Sequence, residues 1–491
     1  MLITLAVRHL WVRRVRSLFL LLGFAIGVGV MVVLLSVGEA MLDQSRDVSL
    51  VGGGEVTVLP LGIDVEAMRT GGLTGMFFAI DRARFLTRQV LGGPRQAGLV
   101  RTVAPVIEGK LLYLCKASGP CRPAAVRAGG EIPSRAAALG TGLDVRQGRW
   151  SDSHADSLWI APTRQQLYDE LDRFHVPPKA DSTWGEWHYF NVAPSPNEWW
   201  YVTYLVGGAL PVGRWGGRVL VTHRRPDGRY DRFTAEAPSS DVVLDTAGAD
   251  LMIGPSSVRQ RDGVYRLHGS ASGPAGRLRL DLEVVPEPNR YFPPVELRDE
   301  GFISGYVVPA LSAAARGTIC VRGDCARMSG ARSYHDHNWG VWRDVTWEWG
   351  AARGASLSLL YGGVYGPRRS QADAGAVSSP FFLGIVDSLG VRQVLQFDRV
   401  AYEGALPAEG VPNAVAPARF SLRAGRGADS VRLTAEIEHA LGTEMSASAF
   451  RRLFFQMRGR FEVEGRLGGV AVRDTGWGFF ETYRTRDGAR H

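Results

Sequence analysis

The sequence predicts a mainly β protein, with one transmembrane helix and a small α/β domain ahead of a long strand-rich region. Three observations carry this. Residues 277–284 alternate strictly, with Leu278, Leu280, Leu282 and Val284 on one face and Arg277, Arg279, Asp281 and Glu283 on the other, as a half-buried antiparallel strand requires. Gly (60) and Pro (26) recur as turn signals through the second half, which favours strands over helices there. Leu18 to Val37 holds no charge, and roughly 20 apolar residues suffice to cross a bilayer as a helix.

In chain order, 1–16 is a basic segment carrying Arg8, Arg13, Arg14 and Arg16, and 17–42 is the predicted transmembrane helix. Arginines before the span and Glu39 and Asp43 after it place the N-terminus in the cytoplasm and the bulk outside. A cleaved signal peptide is the rival, but its apolar region would be shorter. Gly23 and Gly27 form a small-xxx-small pair. Residues 43–180 form the α/β domain. Helices are expected near 81–91 and over 163–174, the latter capped by Thr163 with Leu167, Leu171 and Phe174 on one face. Both read as packing elements. Pro177 to Ser182 is a linker.

Beyond it, strands are expected at 217–223, 242–247, 263–268, 356–361, 381–387, 431–437 and 461–464, separated by turns such as Pro226-Asp227-Gly228. One short helix is placed over 448–455. A stretch of roughly 300 residues of short strands implies barrels or sandwiches, two of them by length. They divide at 181–345 and 346–491.

The four cysteines form two local pairs, Cys115/Cys121 and Cys320/Cys325, each bracketing a turn. Neither has Cys-x-x-Cys spacing, so disulfide-closed hairpins in an oxidising compartment are expected. Arg322-Gly323-Asp324 reads as a tight turn. The net charge of +8 is scattered rather than striped, which argues against nucleic acid. No nucleophile elbow, phosphate loop or dinucleotide fingerprint appears.

The densest chemistry lies in Tyr334-His335-Asp336-His337-Asn338-Trp339-Gly340. On a strand, Tyr334, Asp336 and Asn338 share one face, and His335, His337 and Trp339 the other. One reading is a buried polar network that joins two sub-domains. The other is a site with Asp336 as a general acid held neutral by an apolar setting. His335 or His337 would steady or relay its proton, and Tyr334, Trp339, Trp200 and Trp347 would offer π faces to a cation. Trp199 and Trp200 also read as barrel plugs. Glu198 would act on a ligand or pair with Arg224 or Arg225. His335 and His337 stand at a chelating spacing, but Glu348 or His223 would have to converge as a third ligand, so no metal and no cofactor is expected.

Two resemblances add to this. Residues 1 to about 180 resemble the start of a macrolide-exporter-type ABC-transporter permease, on the basic first helix, the glycine-dotted span, Ser36-Val37-Gly38-Glu39, Gly54-Glu55-Val56-Thr57-Val58 and Gly148-Arg149-Trp150-Ser151-Asp152. The chain lacks that family's three later spans and any nucleotide-binding motif, so it is no complete permease. The resemblance implies a membrane-proximal extracytoplasmic domain and association with exporter permease or ATPase subunits.

Residues 184–491 resemble the carotenoid 1,2-hydratase and AttH-like group, on Glu198-Trp199-Trp200-Tyr201, Asp336-His337-Asn338-Trp339-Gly340 and the closing Gly476-Trp477-Gly478-Phe479-Phe480-Glu481-Thr482. This implies two tandem lipocalin-like barrels with an apolar ligand, an isoprenoid or lipid, in or between them. Candidate catalytic residues are Asp336, His335, His337 and Tyr334. Candidate ligand contacts are Glu198, Trp199, Trp200, Tyr201, Asn338, Trp339, Trp347 and Glu348. The expected location is the outer face of the inner membrane. The expected role is binding beside an exporter, with a hydratase or cyclase, or a ligand-free subunit, as rivals.

Overall fold

The structure, a computed structural model, describes residues 14–46, 80–115, 124–139, 151–156, 159, 163–175, 181–299, 302–341, 346–365, 381–445 and 452–485. They fall into two compact units, one drawn from 1–83 and 102–157 and the other from 84–101 and 158–491. Gly54 to Val58, Gly148 to Trp150, Cys121 and most of the 1–16 segment lie outside the described residues.

In the first unit the apolar stretch is helical. Helix α1 spans Arg14–Arg46, 33 residues, or about 50 Å of helix. Its side chains from Leu22 to Val37 are all exposed. Among the described residues no helix is long and apolar enough to cross a membrane, and the unbroken run of described α1 side chains is confined to 22–37. Strands β1 (Val106–Leu114) and β2 (Ala124–Glu131) pair as a hairpin.

Helix α2 (Ile80–Gly92) matches the expected 81–91. Helix α3 is Pro133–Leu139. Helix α4 (Arg164–Leu171) opens on the predicted Thr163 cap, in a reciprocal capping box with Gln166. Two features differ from expectation. Helix α4 belongs to the second unit, and it stops at Leu171. The chain that follows drives Asp172 and Phe174, 0% and 2% exposed, into the interior.

The rest of the second unit is two antiparallel barrels of eight staves each. In the first, β3 (Trp184–Ser195), β4 (Glu198–Ala209), β5 (Arg214–Arg224) and β6 (Tyr230–Pro238) follow one another. Three short strands, β7 (Val242–Leu244), β8 (Leu251–Ile253) and β9 (Ser256–Arg261), come next. Then β10 (Val264–Gly273), β11 (Gly276–Pro286), β12 (Phe292–Asp299), β13 (Phe302–Val321) and β14 (Asp324–Val341) complete the set. Strands β3–β6, β10, β11, β13 and β14 close the ring, since β14 pairs with β3 and β10 with β11. The alternation read over 277–284 is met in β11, whose leucines and Val284 are buried.

The second barrel uses β15 (Thr346–Gly354), β16 (Ser358–Tyr365), β17 (Phe381–Asp387) and β18 (Gly390–Phe397). Strands β19 (Ala401–Glu403), β20 (Leu406–Pro407) and β21 (Val415–Ala416) are excursions. The ring resumes with β22 (Arg419–Arg426), β23 (Asp429–Met445), β24 (Arg452–Leu467) and β25 (Val470–Thr485), which pairs with β15. The helix expected over 448–455 is corrected over its described part: from Arg452 the chain is strand β24, paired with both β23 and β25.

An eight-stranded barrel is just wide enough for side chains to fill it, and both of these are filled. Phe190, Trp200, Tyr204, Phe233 and Tyr265 pack the first. Tyr361, Phe381, Phe420, Phe455 and Phe480 pack the second. A third apolar cluster joins the two barrels through Tyr189, Tyr201, Tyr306 and Tyr334 of the first and Trp349 and Phe479 of the second. Both expected places for a ligand, within and between the barrels, are filled by packed side chains.

The β13–β14 hairpin turns on Arg322 and Gly323, both at positive φ (55° and 96°), as a two-residue type I′ turn demands. That is why Arg-Gly-Asp stands there. The Cys320–Cys325 disulfide crosses the hairpin beside the turn. Cys115 is also disulfide-bonded.

Candidate functional site

Strand β14 sorts the central motif onto two faces, as its alternation predicts. Tyr334, Asp336 and Asn338 face the second barrel, while His335 and His337 enter the first. All but Asn338 are buried.

On the inter-barrel face the hydrogen bonds run in a line. The Trp349 indole N–H donates to the Tyr334 hydroxyl (3.2 Å), which donates to Asp336 Oδ2 (2.7 Å). Asn338 Nδ2 donates to Asp336 Oδ1 (2.6 Å). Burial drives the Asp336 pKa well above its ordinary value; the Tyr334 and Asn338 bonds oppose the rise without cancelling it, and the charge of Glu481 adds to it. Burial therefore favours the neutral form of Asp336 well beyond the ordinary carboxylate range.

Aromatic faces surround it. Tyr334 meets Phe479 edge-on at 4.7 Å, Tyr306 meets Trp349 at 5.0 Å, and Tyr306 stacks on Phe382 at 5.5 Å. A second carboxyl, Glu481, is pushed up by burial to about 7. Gln456 Nε2 bridges it to the Tyr189 hydroxyl at 3.3 and 3.2 Å. At the edge of the cluster Arg224 and Arg458 lie over the Trp199 ring at 4.9 and 4.8 Å.

The inward face serves a different centre. His337 Nδ1 lies 2.6 Å from Asp172 Oδ1, and His335 Nε2 lies 3.2 Å from Asp172 Oδ2. His188, directly across from His337 on β3, turns its Nδ1 toward Asp172 Oδ2 at 4.0 Å. The Tyr265 hydroxyl donates to the same oxygen at 2.6 Å. Burial pulls His337 down, but Asp172 and Glu186 outweigh it and raise the ring to about 9. Burial and the neighbouring imidazoles take His188 well below its ordinary value.

Several expectations are corrected by this geometry. His335 and His337 do not support Asp336, because adjacent strand residues point apart. Trp339 leaves Asp336 as well: its N–H donates to Glu296 (2.8 Å) and its ring stacks on His175 at 3.7 Å. Trp200 fills the first barrel and stacks on His223 at 3.4 Å, so the plug is Trp200 and not Trp199. Glu198 pairs with His223 (3.2 Å) rather than with Arg224 or Arg225. Glu348 accepts from Tyr402 and from Thr482 (3.0 Å) inside the second unit's barrel. It does not converge on the histidines, and neither does His223.

Tyr201 and Trp347 do border the inter-barrel cluster. Sequence reasoning missed Trp349, Tyr306, Tyr189, Phe479 and Glu481 on this face, and Asp172, His188 and Glu186 on the other. Strand pairing alone brings them in. Two surface grooves of about 620 and 470 Å3 lie elsewhere, one at Trp184, Gly217 and Pro238, the other at Arg266, Asp281 and Arg316. Neither touches Asp336.

Among solved structures, the chain is similar to a protein given the name AttH from Nitrosomonas europaea (16% identity, TM-score 0.44, covering 62% of this chain and 98% of that one). It is also similar to CghA bound to Sch210972 (14% identity, TM-score 0.45, 66% and 98%) and to kievitone hydratase from Nectria haematococca (13% identity, TM-score 0.40, 61% and 88%). No protein-family model and no curated protein matches the sequence.

Proposed function

We propose that the tandem barrels bind an apolar molecule, an isoprenoid or a lipid, in the seam between them, with Asp336 as its polar contact. One observation carries this reading. Asp336 is a buried carboxyl whose pKa burial raises, set among Tyr334, Trp349, Tyr306 and Phe479, and a carboxyl that favours its neutral form in an aromatic wall suits a ligand with little charge of its own. The uncharged stretch from Leu18 to Val37 supports anchorage in a membrane with the barrels on the outer side. The exporter-like features of the first 180 residues support an accessory role beside a permease.

Native mass spectrometry of the full chain purified from its own membranes tests the binding reading. A co-purifying lipid or isoprenoid, lost from a Trp349→Ala variant, is the expected result. Protein that stays empty and takes up no added polyene sinks it and leaves a docking subunit without ligand. Crosslinking in membranes tests for the permease neighbour.

The raised pKa of Asp336 favours a second reading, a hydratase. Asp336 would give its proton to an alkene carbon, leaving a tertiary cation that the aromatic faces stabilise. Water would add to that cation, and the proton it sheds would return to the carboxylate. Incubation with acyclic carotenoids decides this. Turnover by the parent and loss in Asp336→Asn supports it, and an inactive parent removes it.

A further inference from the structure

The first barrel contains a cluster that the Asp336 reading does not use. Asp172, His188 and His337 bring their ligand atoms within 4.8 Å of one another, and His335 Nε2 lies 3.2 Å from the same carboxylate. All four side chains are fully buried. We propose that these residues form a metal site that holds a divalent transition ion, zinc by its donor set, as a structural centre of the first barrel.

The argument rests on where the hydrogens are. Each of the three imidazoles has its far nitrogen engaged by an acceptor. His188 Nε2 meets the Ala249 carbonyl at 2.9 Å, His335 Nδ1 meets the Tyr189 carbonyl at 3.1 Å, and His337 Nε2 meets Glu186 Oε1 at 2.9 Å. A carbonyl only accepts, so the nitrogens facing Ala249 and Tyr189 carry the hydrogens. In the neutral tautomers His188 Nδ1 and His335 Nε2 then aim lone pairs at a carboxylate that has none to donate. His188 Nδ1 is buried with no hydrogen-bond partner.

Converging lone pairs around an anion repel unless a cation stands among them. The His188 ring centroid lies 4.4 and 5.1 Å from those of His337 and His335, so the three rings converge on one buried carboxylate.

Asp172, His188 and His337 supply the converging donors, His335 Nε2 stands on the other oxygen of the same carboxylate, and imidazoles with one carboxylate suit zinc. The far-nitrogen bonds to a carboxylate and two carbonyls are the outer hydrogen bonds that fix metal-ligating histidines. Phe174 and Phe190 pack on the rings at 4.8 and 4.0 Å, and Tyr265 donates to Asp172. No donor position is left facing solvent, which makes the centre structural. Its effect is to tie the segment behind α4, which carries Asp172, to staves β3 and β14. The neighbouring group of His175, Glu186 and His337 is the weaker candidate, since the His175 side chain is 25% exposed and the nitrogens that His175 and His337 aim at Glu186 are already bonded there, with no orphaned nitrogen like His188 Nδ1.

The test uses the full chain in detergent, stripped with a chelator under mild denaturant and returned to buffer with Zn2+ or Co2+. Elemental mass spectrometry is expected to find a single zinc per chain, and the cobalt form to show the strong visible bands of tetrahedral coordination. His188→Leu should weaken binding by at least ~100-fold. Glu186→Gln, which reaches the ion only through His337, should weaken it by about 10–100-fold. Wild-type protein that regains its native circular dichroism yet retains neither metal overturns the proposal, whether or not the variants fold. Undiminished zinc in a folded His188→Leu variant overturns it equally.

Discussion

Asp336 and Glu481 are carboxyls that folding keeps protonated beyond their ordinary range, and this gives the protein a readable pH dependence. An acid with a raised folded pKa contributes stability fully below its ordinary value and loses it as pH rises through the folded one. For Glu481 the window runs from 4.5 to about 7. Thermal stability is therefore expected to fall across that window, and Glu481→Gln, which cannot ionise, should flatten the fall. Melting curves at stepped pH check this; equal slopes in parent and variant would refute it. Asp336→Asn should act in the same sense, since burial raises that carboxyl well above its ordinary value. Residue by residue, the site was half legible. Alternation alone separated Asp336 from the two histidines. It gave no sign that Asp172 would meet His337 from 165 positions away, because nothing local marks a carboxylate that leaves a helix to enter a barrel. His188 lies on β3, which is not among the strands expected from the sequence.

Single elements show why the fold was the more legible part. Turn chemistry at Arg322-Gly323 and alternation in β11 are local properties, and local properties survive folding unchanged. Strand β24 was harder: Leu453, Phe454 and Phe455 are consecutive apolar residues, and that run hides a period of two. The pairing partners decide it, with buried Leu453, Phe455 and Met457 pointing into the second barrel. The turn between β15 and β16 has a specific clamp, Asp474, reached from β25. It accepts from the backbone N–H groups of Ala355 (3.0 Å), Ser356 (2.9 Å) and Leu357 (2.7 Å). Burial pushes its pKa up, but these donors outweigh that and hold it below the ordinary value. Asp474→Ala leaves the buried Leu357 N–H and two half-buried turn N–H groups without their acceptor and is expected to cost about 2–3 kcal/mol. Urea unfolding would show it as a lower midpoint with an unchanged slope; a midpoint equal to the parent's would mean the turn holds without its clamp.

At the scale of the barrel pair, the aromatic cluster between them has a consequence that neither barrel has alone. Each barrel fills its own interior, so each is equipped to fold by itself, yet both bury aromatic surface only against the other. Trp349 is the centre of that contact: 9% exposed, bonded to Tyr334 across the seam and edge-on to Tyr306. Coupling of this kind makes two domains unfold as one when the shared contact is comparable to the stability of the weaker partner. Calorimetry of the parent is expected to show the barrels melting in a single transition. Trp349→Ala removes the indole and leaves a cavity, at a cost of about 3–5 kcal/mol. Because that loss falls on the seam and not on either interior, it should split the transition in two rather than shift it whole. An aromatic truncation inside one barrel, Phe233→Ala, is the comparison: it should lower the joint transition without dividing it. If Trp349→Ala and Phe233→Ala shift a single peak alike, the barrels are coupled through something other than this cluster, and the seam loses its claim to be the place where a ligand would be felt by both.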